Sequence, residues 1–112
     1  DAAPEYKEAY IRAKKEDICF VKSPVGVPGR AIRNSFIERT RTEKSRITHC
    51  YHCITTCNPA KIPYCITQAL VNAAEGKLED ALLFCGENAY RCERIEKVED
   101  IMEEFKEAAQ TF

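Results

Sequence analysis

Seven cysteines among 112 residues constrain this chain more than any other feature, because an odd number cannot be fully paired within one chain. A secreted disulfide scaffold is therefore not the simplest solution. Reduced cysteines point instead to burial, redox chemistry or metal in a cytoplasmic setting. Four of the seven are concentrated as Cys50-x2-Cys53-x3-Cys57-x7-Cys65 within the Cys-rich loop 47–65. Thiolates suit borderline and soft metals, and spacings this short let one loop wrap an ion or a cluster. Zinc sites commonly use two C-x2-C knuckles, and the second is missing here; His49 and His52 are alternate ligands for a Cys/His tetrahedron. The C-x2-C-x3-C run with one further cysteine fits a four-iron cluster slightly better, since each thiolate takes one iron. Three readings stay open: metal or cluster, simple thiols with Cys65 as a small buried side chain, and disulfides among Cys50, Cys53 and Cys57. Cys19, Cys85 and Cys92 lie in apolar or helical contexts and are read as packed side chains.

The length suits one domain with a modest core. A net charge of −1 argues against nucleic-acid binding by bulk electrostatics. No apolar run approaches the ~20 residues that span a bilayer, and no stretch has the order of a signal peptide. The first residue is Asp1 rather than Met, so the chain is read as cut, processed or excised from something longer.

The hydrophobic pattern predicts a mainly α chain of about four helices with at most one or two short strands. A helix over 4–15 has Pro4 in its first turn and a stripe of Tyr6, Ala9, Tyr10 and Ala13. Ile18 to Val21 is a short, partly β-branched run and a candidate strand. Two prolines and two glycines make 22–29 a loop. A second helix is expected over 30–41, with Ile32 and Phe36 facing inward. Residues 30–46 carry a local charge of +4, read as a solvated face or, more sharply, as one or two arginines contacting a phosphate or a partner. A third helix over 63–75 carries Ile66, Ala69, Leu70, Ala73 and Ala74 on one stripe and ends at Gly76. Residues 78–92 are ambiguous between a buried strand ending in a turn and a short helix. The last helix, 98–110, sets Val98, Ile101, Met102, Phe105 and Ala109 on one face, with Phe112 just beyond it. Its other face is acidic, with a net charge of −4 between Glu93 and Glu107.

Nothing along the chain pairs an acid or base with a nucleophile, and no GxGxxG or P-loop motif is present. Instead, Lys22-Ser-Pro-Val-Gly-Val-Pro-Gly-Arg-Ala-Ile-Arg-Asn34 resembles a stretch near the C-terminus of the nitronate monooxygenase family. These are 2-nitropropane dioxygenase-like, FMN-dependent enzymes related to enoyl-ACP reductase II. Asp1 to Asp17 looks like the family's segment after its late barrel strands. Ala73 to Asp80, followed by Phe84-Cys-Gly-Glu-Asn-Ala-Tyr-Arg91, resembles its turn close to the flavin. The cysteine loop looks like that of a Cys-rich branch of the same family.

The resemblance implies a TIM-barrel flavoenzyme whose C-terminal helical cover is this chain. A barrel alone takes about 250 residues, so residues 1–112 would be a single C-terminal region without the barrel strands, the phosphate-binding loops or the catalytic histidine. In the parent, FMN would carry the electrons, in the oxidation of an alkyl nitronate or an NAD(P)H-dependent reduction. Gly86 and Asn88 would approach the flavin or the small-molecule substrate; the plainer reading of that turn makes Asn88 a helix-start cap. The implied partner is the barrel portion of the same enzyme. An excised cover should form a homo-oligomer through the stripe of 98–110 or of 4–15, since large apolar patches are rarely left open. The alternatives are a stand-alone zinc- or iron–sulfur-binding module and the small subunit of a split flavoenzyme.

Overall fold

A computed structural model describes residues 1–112, and its elements are mainly helical. They are helices α1 (Pro4–Arg12), α2 (Ser35–Thr42), α3 (Ile66–Ala74) and α4 (Val98–Gln110), and the antiparallel strands β1 (Ile18–Val21) and β2 (Gly29–Ile32). Three short 3-10 turns lie at Lys15–Asp17, Leu78–Asp80 and Ala89–Arg91. No helix is long and apolar enough to cross a membrane.

The first helix stops at Arg12, short of the expected 15, because Ala13 is already extended. The Asp17 carboxylate then accepts the Lys14 amide at 2.8 Å. That closes a turn which feeds the chain into β1. The expected helix over 30–41 is corrected more substantially. Residues Gly29–Ile32 pair with β1 in the register Ile18↔Ile32 through Val21↔Gly29, and the helix begins only at Ser35. Asn34 marks the switch, accepting the Ile37 amide at 3.0 Å as an N-cap. Its amide group also donates to the carbonyls of Leu78 at 3.2 Å and Ala81 at 2.8 Å. One side chain thus starts α2 and ties it to the segment after α3.

That segment resolves the ambiguity of 78–92. Residues 81–85 run extended beside β2: Ile32 donates to the Leu83 carbonyl at 2.9 Å and Cys85 to the Arg30 carbonyl at 3.0 Å, around an antiparallel bridge between Ala31 and Phe84. Successive side chains on an extended segment face opposite ways, which divides the core in two. Ala31 and Leu82 join Val21, Phe36, Ile37, Tyr64 and Ala69 on one side. Ile32 and Leu83 join Ala13, Ala73 and Ala81 on the other, with Tyr6, Ala9 and Tyr10 packed against them. Ile32 and Phe36 do face inward as expected, but from a strand and a helix and into different clusters. Burying Leu82 or Leu83 is worth about 2–3 kcal/mol each.

The end of α3 follows its sequence signal. Gly76 has φ +83°, and the amides of Gly76 and Lys77 close on the carbonyls of Ala73 and Asn72 in a Schellman motif. A Cβ at Gly76 would lie 2.8 Å from a Glu5 carboxylate oxygen and 3.1 Å from the Ala3 Cβ, because Ala3 donates to the Ala74 carbonyl and docks the start of α1 there. The stripe of 4–15 is therefore spent on the chain's own core and is not free for association.

The last helix is different: none of its residues is buried, and Val98 and Phe105 are 75% and 66% exposed. The chain exposes 8331 Å², against about 6,300 Å² for a compact monomer of this mass. Its radius of gyration is 16.4 Å, against about 13 Å for a compact domain of this length.

Candidate functional site

The turn after the extended 81–85 segment holds the two residues expected near a flavin. Gly86 and Asn88 are both exposed. Gly86 lies outside the left-handed region, and a Cβ built there meets nothing within 4 Å, so the chain's own packing does not require glycine at this point. Asn88 opens the 3-10 turn Ala89–Arg91, but its side chain makes no capping hydrogen bond. Its carboxamide is left with a donor and an acceptor.

The turn is anchored from below. Tyr10 on α1 donates to the Phe84 carbonyl, and the Tyr10 and Tyr6 hydroxyls stand 3.0 Å apart. Burial first, then the Tyr6 hydrogen bond, hold the Tyr10 phenol well above its ordinary pKa. The Phe84 ring lies over β2, and a Cβ at Gly29 would come within 2.6 Å of it. Burial and the neighbouring Cys19 also push the Cys85 thiol up, against a lowering by Arg30. Sequence periodicity does not single out Tyr10 or Gly29 as supports of this turn. The hydroxyl of a core-facing tyrosine and a glycine at a strand start are the available signals.

The second constellation is the cysteine loop. All seven cysteines are free thiols. Cys50, Cys53, Cys57 and Cys65 line one cavity of about 470 Å³, together with His49 and His52. No three of these groups stand close enough to hold a single ion, so a convergent tetrahedral arrangement is not what the thiols adopt here. Cys65 caps α3, its Sγ accepting the Gln68 amide at 3.5 Å. The Thr67 hydroxyl donates to Cys53 Sγ at 3.1 Å, and Cys50 Sγ lies 3.9 Å from His52 Nδ1. His52 has φ +53°, in the left-handed region, where histidine is enriched alongside asparagine and aspartate among non-glycine residues. Burial and the nearby thiols of Cys53, Cys50 and Cys65 push the Cys57 thiol up. Of the three cysteines expected to be packed, Cys19 and Cys85 lie against the core. Cys92 is exposed, a correction that follows from its place just past the Ala89–Arg91 turn, where no apolar neighbour covers it.

The basic stretch is largely engaged within the chain. Arg39 pairs with Asp80 at 2.6 Å, while Arg33 and Arg41 each lie 3.6 Å from Glu38. Arg30 lies over the Phe20 ring, 4.8 Å from its centre, and Lys44 reaches the Ala60 carbonyl.

Comparison with known proteins decides the family. The model of the nitronate monooxygenase family matches residues 1–107. The chain belongs to the nitronate monooxygenase family. Among solved structures, FabK from Thermotoga maritima is similar, with 25% sequence identity and a TM-score of 0.66 over 99% of this chain. The match covers 34% of that protein, so the chain spans about a third of its length. No curated protein sequence matches the chain. Both segments that resemble the nitronate monooxygenase family, 22–34 and 84–91, lie within the matched residues. Their structural roles are now visible: 22–34 holds the turn into β2, β2 itself and the Asn34 cap, and 84–91 closes the 81–85 segment.

Proposed function

We propose that this chain is the C-terminal helical cover of an FMN-dependent oxidoreductase of the nitronate monooxygenase family, and that alone it has no activity. The observation that carries the reading is the family match over nearly the whole chain, combined with coverage of only about a third of FabK from Thermotoga maritima. Two physical facts support it. The chain exposes about 2,000 Å² more than a compact monomer of its mass should. No residue of the apolar stripe of α4 is buried within the chain. A barrel portion seated against this surface would account for both.

In the intact enzyme the Gly86–Asn88 turn would contact the flavin edge or the substrate. The open space at Gly86 and the free carboxamide of Asn88 suit that contact, while nothing in the chain offers a glycine-rich loop for the FMN phosphate. FMN would supply the redox chemistry. This chain's residues would orient one edge of the site and exclude water from it. The substrate class is a small molecule, either an alkyl nitronate or one reduced at the expense of NAD(P)H.

Flavin content tests the reading. Residues 1–112 alone should retain essentially no FMN through gel filtration, and the same residues joined to the barrel portion should retain about one per chain. In the joined protein, Asn88→Ala should lower kcat/KM while leaving the helical circular-dichroism signal unchanged. Tight stoichiometric FMN binding by residues 1–112 alone would overturn the proposal.

A further inference from the structure

Flavin chemistry leaves the cysteine loop without a role, and little inside the loop supports it. Residues 43–65 connect α2 to α3 without helix or strand, longer than the roughly 12–15 residues at which structureless connections become uncommon in compact domains. Only Tyr64 among them is buried. A segment of this kind gains little from apolar burial, so its order must come from elsewhere. Backbone bonds supply some: Ser45 donates to the Pro63 carbonyl at 2.8 Å at the base, and Cys57 to the Ile54 carbonyl at 3.2 Å and Lys61 to the Asn58 carbonyl at 2.9 Å in local turns, but none ties residues 46–57 to a helix or strand.

We propose that Cys50, Cys53, Cys57 and Cys65 together bind a thiophilic metal centre that staples this loop to the start of α3. Four reduced thiols, three from the loop and one from the cap of α3, face one cavity. Two of the sulfurs already accept hydrogen bonds, Cys65 from the Gln68 amide and Cys53 from the Thr67 hydroxyl. Donors of this kind stabilise the negative charge that a ligating thiolate carries. The α3 N-terminus adds its positive end behind Cys65.

The spacing bears on the occupant. A single zinc draws its four sulfurs to ~2.3 Å from one point, and the thiols are more dispersed than that. In a four-iron cluster each thiolate meets a different iron at a different corner, so a cluster asks less convergence of the sulfurs than a single ion does. The shared chemistry is four thiolates on a soft metal, and it does not depend on whether flavin binds elsewhere.

The test is elemental analysis of the intact protein, purified anaerobically and, in parallel, reconstituted with zinc or with ferrous iron and sulfide. About four irons with matching acid-labile sulfide supports a cluster, and about one zinc supports a mononuclear centre at the same thiolates. Either metal should protect the four thiols from alkylation until a chelator is added. Cys57→Ser should lower the metal content several-fold, while Cys92→Ser, exposed and outside the cavity, should leave it unchanged. If Cys57→Ser fails to fold, chelator-dependent alkylation of the unaltered protein decides the same question. Less than about half an equivalent of either metal after reconstitution, or four thiols that react freely in the folded protein, overturns the proposal.

Discussion

Replacing Asn34 separates two jobs that one side chain performs. Its oxygen caps α2 by accepting the Ile37 amide, and its amide group donates to the Leu78 and Ala81 carbonyls. Asn34→Ala removes all three bonds. Loss of a cap costs about 1 kcal/mol, and each of the other two bonds is worth about 0.5–1 kcal/mol net, giving about 2–3 kcal/mol in all. For a chain of this length the unfolding entropy is about 0.24 kcal/mol/K, so the midpoint should fall by about 8–13 °C. Asn34→Asp is the informative variant. Aspartate caps a helix as well as asparagine does, but it cannot donate, and at neutral pH it would set a carboxylate against two carbonyl oxygens. The structure therefore predicts that Asn34→Asp loses about as much as Asn34→Ala, and that part of the loss is recovered in acid when the introduced carboxyl regains a proton to donate. Thermal unfolding followed by circular dichroism at pH 7 and pH 4 measures both. If Asn34→Asp unfolds within about 0.5 kcal/mol of the parent at pH 7, Asn34 is only a cap and the tie between α2 and the 78–81 segment carries no weight.

Phe105→Glu on α4 should leave the stability of the isolated chain within about 0.5 kcal/mol, since the ring is mostly exposed, yet it should abolish self-association in sedimentation. A clean monomer for the unaltered chain at high concentration would refute the idea that α4 seeks a partner. The Tyr10 phenol is raised in the folded chain from an unfolded value of about 10, so its contribution to stability is complete below pH 10 and is lost as pH climbs toward the folded value. Stability measured from pH 9 upward should therefore fall more steeply for the unaltered chain than for Tyr10→Phe, and equal slopes would remove Tyr10 as the anchor of the 84–91 turn.

How much of this is legible in the sequence differs by element. The stripe of 98–110 matches α4, Val98–Gln110, end to end, because helical periodicity over more than three turns has no competing pattern. Gly76 is equally legible, since a glycine after a helical stripe is the residue that tolerates positive φ. Residues 29–32 mislead because four residues carry no decisive period, and Ile32 fits a helical stripe with Phe36 as well as it fits a strand. The signal that corrects the reading is Asn34, a strong cap residue directly before Ser35-Phe36-Ile37. The turn that holds Gly86 and Asn88 is found only through resemblance to a family, and its anchoring by Tyr10 has no local signature at all.

The sequence by itself determined what depends on neighbours along the chain: the helical character, the break at 22–29, the stop at Gly76, the family, and a cysteine spacing that proposes a metal. Only the tertiary structure decided what depends on residues far apart. Pairing of β2 with β1 on one edge and with 81–85 on the other turned a supposed helix start into the central strand, because hydrogen bonds from two sides outweigh the weak propensity of four residues. The same pairing sent Ala31 and Ile32 into opposite cores and used the α1 stripe internally. The structure also leaves α4 exposed, which no count of apolar residues could distinguish from burial, since periodicity shows that a face is apolar and only packing shows what it meets.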